Sequence, residues 1–327
     1  MAKFKPPYDP ELLKSLAMNP GFPPFASKEI LDAVRDSVNQ VSMVETTMTD
    51  PEISHEEVSI PGPGGKLALS IVRLKKSVGG PRPIIYFMHP GGLILGDKLL
   101  CIQGTFDWIK ENDAVVVSVD YRLAPEHPYP AQINDCEAGL KWVISQASEL
   151  KIDLSKLILA GMSAGGGLAA ALALKFCNEG GPKVLAQCLI WPMLDDKMET
   201  ASTKQFMDAT TWSGANSIHA MEMVIPGLRG TEGVPIYAFP ARATDLTKLP
   251  QAFVDVGGAE MFRDEDVEYA SRMAAAGVSV ELHVWPGAYH GSDVNVPSAM
   301  ISQTACATRA AWLKRILTHA EKAKAKL

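Results

Sequence analysis

Ser163 lies at the centre of Gly161-Met162-Ser163-Ala164-Gly165, a G-x-S-x-G string. A serine hydroxyl is a weak nucleophile until a neighbouring base takes its proton. The context suits that chemistry. An apolar run, 157–160, precedes the string and a small-residue segment, 166–176, follows it, which predicts a strand, a sharp turn and a helix. Gly161 and Gly165 leave room where flanking side chains would collide with backbone. The helix N-terminus turns free N–H groups and a positive dipole end toward the serine. The same stretch holds Gly165-Gly166-Gly167-Leu168-Ala169-Ala170, which fits a dinucleotide-binding G-x-G-x-x-A. That reading needs an acid about twenty positions on; Glu179 comes too early and Asp195 too late.

A second string, His89-Pro90-Gly91-Gly92, follows the apolar run 84–88. Acyl transfer needs N–H donors fixed where negative charge develops, and losing one donor typically costs about 10²–10³ in rate. The two glycines let bare backbone approach a substrate, so Gly91 and Gly92 are candidate oxyanion donors, with the N–H of Ala164 as a third. His290, in the loop after the run 280–285, is the candidate base: it comes last in the order serine, acid, histidine. His55, His127, His219 and His283 read as structural. For the acid, position favours Glu260, in the loop after the run 252–256. Asp255 within that run should point into packing, and Asp264, Glu265 and Asp266 look like first-turn acids facing a helix N-terminus.

These residues need a scaffold. Apolar runs at 84–88, 114–119, 157–160, 184–190, 252–256 and 280–285 alternate with helical patterns at 104–112, 132–148, 164–178, 263–276 and 298–321. Such alternation predicts an α/β fold with a mostly parallel sheet covered on both faces. Two further strands, 58–60 and 67–73, meet through a Pro-Gly-Pro-Gly-Gly turn. Residues 1–50 read as helical pieces broken by clusters such as Asn19-Pro20-Gly21-Phe22-Pro23-Pro24. Residues 195–248, with Met198, Met207, Trp212, Met221 and Met223, interrupt the alternation. Together these two segments would cap the sheet's carboxyl edge, where open α/β sheets bind ligands. The catalytic domain would then comprise 51–194 and 249–327.

Composition narrows the classes. The 327 residues carry a net charge of −6 with no Lys/Arg block, which argues against a nucleic-acid partner. No apolar run approaches the ~18 residues of a membrane span, and the residues after Met1 lack the apolar core of a signal peptide. Cys101, Cys136, Cys177, Cys188 and Cys306 are odd in number and scattered, so they read as buried free thiols in a cytoplasmic protein.

With these motifs assembled, the chain resembles the hormone-sensitive-lipase-like, or HGGG, carboxylesterases of the α/β-hydrolase fold, from about residue 56 to 315. The resemblance extends to Asp120-Tyr121-Arg122-Leu123-Ala124-Pro125-Glu126-His127-Pro128, a scaffold loop, and to Phe262-Arg263-Asp264-Glu265. It implies that Glu260 fills the place of the family's acid, that a cap forms the acyl or alcohol pocket, and that no cofactor or metal is required. Three positions depart from the family pattern. Pro90 replaces the first glycine of HGGG, Met162 replaces an aspartate, and Glu260 itself replaces an aspartate.

The expectation is thus a hydrolase of small or short-acyl carboxylic esters, with Ser163, His290 and Glu260 as the triad. The rivals are an amide or lactone hydrolase, an acyltransferase, and a non-catalytic small-molecule-binding homologue. The state of assembly, a homodimer included, stays open.

Overall fold

Four valines and a serine at 115–119 make a strand with no polar face, and the structure buries all five side chains. The structure is a computed structural model that describes residues 4–18, 21–209 and 211–324. Met1 to Lys3, with the leader reading, and Asn19-Pro20, part of the expected break, lie outside the described residues.

Chain order begins with helices α1 (Pro10–Met18), α2 (Lys28–Val41) and α3 (Val44–Thr47). Strands β1 (Ile53–Gly62), β2 (Gly65–Leu74) and β3 (Arg82–Met88) follow, then α4 (Phe106–Asn112) and β4 (Val115–Val119). Next come α5 (Ala131–Ser145), α6 (Ala147–Leu150), β5 (Ile152–Met162), α7 (Ala164–Glu179) and β6 (Ala186–Ile190). Helices α8 (Ala201–Gln205) and α9 (Gly214–Val224) occupy the segment that interrupts the alternation. The chain closes with β7 (Gln251–Gly257), α10 (Arg263–Ala275), β8 (Val280–Trp285), α11 (Ser292–Asn295) and α12 (Met300–Lys324).

The eight strands form one sheet in the order β1-β2-β4-β3-β5-β6-β7-β8. The β1–β2 and β2–β4 pairs are antiparallel, and every pair from β4 to β8 is parallel. Alternation along each strand makes two cores. Ile84, Tyr86, Val115, Val117, Leu157 and Leu159 pack with α5, α7 and α10, while Ile85, Phe87, Val116, Ile158 and Ala160 pack with α4 and α12.

The polar start of β5, with Asp153 and Ser155, explains why the apolar run showed only its second half. The cysteines correct an expectation: Cys136 and Cys188 are buried, but Cys101 and Cys177 are half-buried and Cys306 is exposed. All five are free. Among the described residues no helix is long and apolar enough to cross a membrane.

Candidate active site

Strand β5 ends one residue before Ser163 and α7 begins one residue after it. Ser163 takes φ 53°, ψ −121°, a conformation that a residue with a Cβ adopts only under constraint. The constraint is visible in the backbone: its N–H donates to the Ile190 carbonyl at 2.9 Å, and its carbonyl accepts from Gly167 at 3.0 Å and Met193 at 2.9 Å. The flanking glycines are obligatory. A Cβ on Gly161 would lie 2.1 Å from the Gly165 oxygen, and one on Gly165 would lie 2.0 Å from the Met88 oxygen.

The structure brings the three candidate reacting residues together. Ser163 Oγ is 3.0 Å from His290 Nε2, and His290 Nδ1 is 2.7 Å from Glu260 Oε1. Ionised, Glu260 can only accept, which places the imidazole proton on Nδ1 and leaves Nε2 to accept from the serine. Glu260 Oε2 accepts in turn from the Gly257 N–H at 3.0 Å. Burial pushes the Glu260 carboxyl above its ordinary range, while the bonds from His290 and Gly257 pull it back.

The candidate base is held on two sides by rings. Trp191 stands edge-on to His290 with centroids 4.9 Å apart, and Phe262 does so at 5.1 Å. The acid loop and base loop are also laced by backbone: Gly258 N–H donates to Trp285 O at 2.7 Å and Ala259 N–H to Ala288 O at 2.9 Å.

On the opposite side of the serine, Gly91 and Gly92 take φ 120° and 64°. A Cβ on Gly91 would lie 2.2 Å from the Leu95 oxygen. The backbone N–H groups of Gly91, Gly92 and Ala164 donate to nothing among the described residues. His89 is buried and stacks flat on Tyr121 with centroids 4.0 Å apart. Burial lowers its pKa, so the ring is neutral and its Nδ1 donates to the Pro90 carbonyl at 2.8 Å. Tyr121 donates to the His89 carbonyl at 2.7 Å. His89 thus props the glycine loop, and Pro90 serves through its carbonyl. Met162, where a family aspartate would stand, is buried in the core beneath α4 and α12 and asks for no polar partner.

A cavity of about 710 Å³ opens over Ser163 and His290. Phe22, Val34 and Val38 line it from the N-terminal segment, Trp212 from the interrupting segment, and Trp191 from the end of β6. The methionines of the interrupting segment do not line it; Met198 and Met221 pack in the core. His55, His127, His219 and His283 stand away from it as well.

The alternative acids have other partners. Asp255 accepts from Trp285 Nε1 and Arg309 Nε at 2.9 and 2.7 Å. Asp264, Glu265 and Asp266 stand in the first turn of α10, as expected, and two of them also reach other segments. Asp264 accepts from the Ser202 N–H at 2.7 Å, and Glu265 from the N–H groups of Leu194 and Asp195 at 3.0 and 3.2 Å. The Asp266 carboxylate has no hydrogen-bond partner among the described residues. In the 120–128 loop, Arg122 grips Asp135 through two nitrogens at 2.7 and 2.9 Å. The sequence did not single out Trp191 or Arg309 and named Phe262 only within the family string, because their contacts join distant segments and leave no local pattern. Among the described residues no group of three or more His, Cys, Asp or Glu could hold a metal ion.

A family model of the alpha/beta hydrolase fold matches residues 84–293, which span every candidate site residue from His89 to His290. The chain belongs to this family. Within the α/β hydrolases it is similar to esterases. Esterase LipI of Mycobacterium tuberculosis is 32% identical over 96% of this chain and 97% of its own. Carboxylesterase NlhH of the same organism is 38% identical over 64% of this chain and 66% of its own. A bacterial heroin esterase superposes with a TM-score of 0.88 at 34% identity, over 95% of this chain and 98% of that one. Esterase LipW from Mycobacterium marinum gives 0.86 at 31% identity, over 97% of this chain and 99% of that one.

Proposed function

We propose that this α/β hydrolase cleaves small or short-acyl carboxylic esters through an acyl-enzyme on Ser163. The observation that carries the reading is the unbroken hydrogen-bonded row from Ser163 Oγ through His290 to Glu260, at 3.0 and 2.7 Å. His290 Nε2 takes the hydroxyl proton as Oγ attacks the acyl carbon, and Glu260 stabilises the imidazolium that forms. The oxyanion receives the N–H groups of Gly91, Gly92 and Ala164, held there before substrate arrives. His290 then gives its proton to the departing alkoxide, releasing the alcohol. Water, deprotonated by the same Nε2, attacks the acyl group, and Ser163 recovers the proton as the carboxylic acid leaves.

Residues 1–50 and 195–248 form the cap of this site, a reading supported by Phe22, Val34 and Trp212 in the cavity wall. A cavity of about 710 Å³ accommodates both halves of an ester. The cytoplasm as its compartment rests on five cysteines that are all free.

The test compares wild type and Ser163→Ala on p-nitrophenyl esters of graded acyl length. Turnover with a short-acyl optimum is expected in wild type, falling about 10⁴-fold or more in the variant. Equal rates in both would remove Ser163 from the chemistry. No turnover, together with no labelling of wild type by a fluorophosphonate, would exclude a hydrolase.

A further inference from the structure

Behind the acid and the base lies a buried ionic node that the reaction itself does not use. Arg309, on α12, is 3% exposed. Its Nε donates to Asp255 Oδ2 at 2.7 Å and its Nη1 donates to Asp293 Oδ2. The two carboxylates sit on the two segments whose spacing matters. Asp255 is in β7, the strand that leads into Glu260, and Asp293 is in α11, directly after the His290 turn. Asp255 does more than meet the arginine. Its Oδ2 accepts from Trp285 Nε1 at 2.9 Å, and its carbonyl accepts from the Trp191 N–H at 2.7 Å. Trp191 is the ring standing against His290.

We propose that Arg309 is a positioning residue for the ester hydrolysis proposed above, on which the assignment rests. By gripping Asp255 and Asp293 at once, it sets the separation of the strand that carries the acid from the turn that carries the base.

Two physical arguments support this. First, a buried cluster of one cation and two anions is a poor way to gain stability, because apolar residues of the same volume usually do as well. Its distinctive property is geometric, since a guanidinium presents donors in a rigid fork that fixes two partners together. Second, the base turn needs an external anchor. It runs between Gly287 and Gly291, both at positive φ (74° and 73°), and α11 beyond it is four residues long. A base displaced by about 1 Å can lose about 10²-fold in rate.

The experiment uses Arg309→Lys, which keeps the buried charge but loses the fork, and Asp293→Asn, which keeps the size but loses the anion. Each is assayed beside wild type on a short-acyl p-nitrophenyl ester, well below its melting temperature. Rates are normalised to sites labelled by a fluorophosphonate. A fall in kcat of about 10-fold or more with KM within about twofold is expected in both, with the labelling rate constant falling in parallel. Should Arg309→Lys fail to fold, Asp293→Asn decides alone. An unchanged kcat per labelled site, even with a lowered melting temperature, would overturn the assignment and leave Arg309 as a mere brace for α12. Failure of wild type itself to turn over ester or to label would instead overturn the Ser163 reading and this one with it.

Discussion

Ser163 and Asp266 show how unevenly this fold treats its polar side chains. The serine is 3% exposed, yet its oxygen has a partner and faces a cavity. Asp266 is fully buried, and neither carboxylate oxygen has a hydrogen-bond partner among the described residues. Burial first, then the neighbouring Glu265, Glu260 and Asp255, push its pKa well above the ordinary aspartate range. The native chain therefore holds this proton more tightly than the unfolded chain does. Stability from that preference is complete below the unfolded value near 3.8 and is lost as pH rises through the raised folded value. Asp266→Asn cannot ionise and escapes the loss. Its melting temperature should exceed that of wild type by ~2 °C or more on the alkaline side of neutrality, the gap closing as pH falls toward about 4. Thermal melts across that range check it, and a gap independent of pH would refute the account. At this scale the sequence pointed to Ser163, His290 and Glu260 as candidates, because order and local context single them out, and the three side chains do meet in space. It did not reveal that Asp264 and Glu265 reach Ser202, Leu194 and Asp195, since those partners lie some 60 to 70 positions away.

Among the elements, α2 joins the site to the N-terminal segment. Its Ser27 cap and the spacing of Leu31, Val34 and Val38 give an amphipathic helix whose buried side faces the core. One residue fastens it. Arg35 donates to the carbonyls of Ile94 and Ala124 at 2.8 and 2.7 Å and to both Glu126 oxygens at 2.8 and 2.9 Å. The arginine holds the Glu126 carboxyl down to about 2. Since Val34 and Val38 line the cavity, Arg35→Met should loosen that wall. KM for a bulky neutral ester is expected to rise roughly tenfold, the equivalent of about 1.4 kcal/mol, with a smaller change in kcat. Michaelis curves measure it; an unchanged KM would mean that apolar packing alone seats the helix. The strands were legible because β3, β4 and β6 are buried on both faces and read as continuous apolar runs. The Arg35 fastening was not, because its acceptors, two backbone carbonyls and the Glu126 carboxylate, lie 59 to 91 positions away in the chain.

Over the whole molecule, an acidic protein surrounds an uncharged reaction chamber. Net charge is −6, yet the described residues lining the cavity include no Asp, Glu, Lys or Arg. A substrate carrying a fixed charge near its ester would lose hydration there without gaining a counter-ion. Neutral esters should therefore exceed matched esters bearing a carboxylate or an ammonium in kcat/KM by at least about 10²-fold, or about 2.7 kcal/mol. Matched pairs of synthetic esters would measure this, and parity between them would show that charge is accommodated elsewhere.

Ser163 and His290 touch in space but are 127 residues apart in the chain. At a synthesis rate of 5–20 residues per second, the proposed nucleophile leaves the ribosome about 6–25 s before its proposed base. Throughout that interval the growing chain carries a serine with nothing to take its proton. An elbow that folds early is chemically silent, and hydrolysis begins only once the last strand and the turn beyond it have been made.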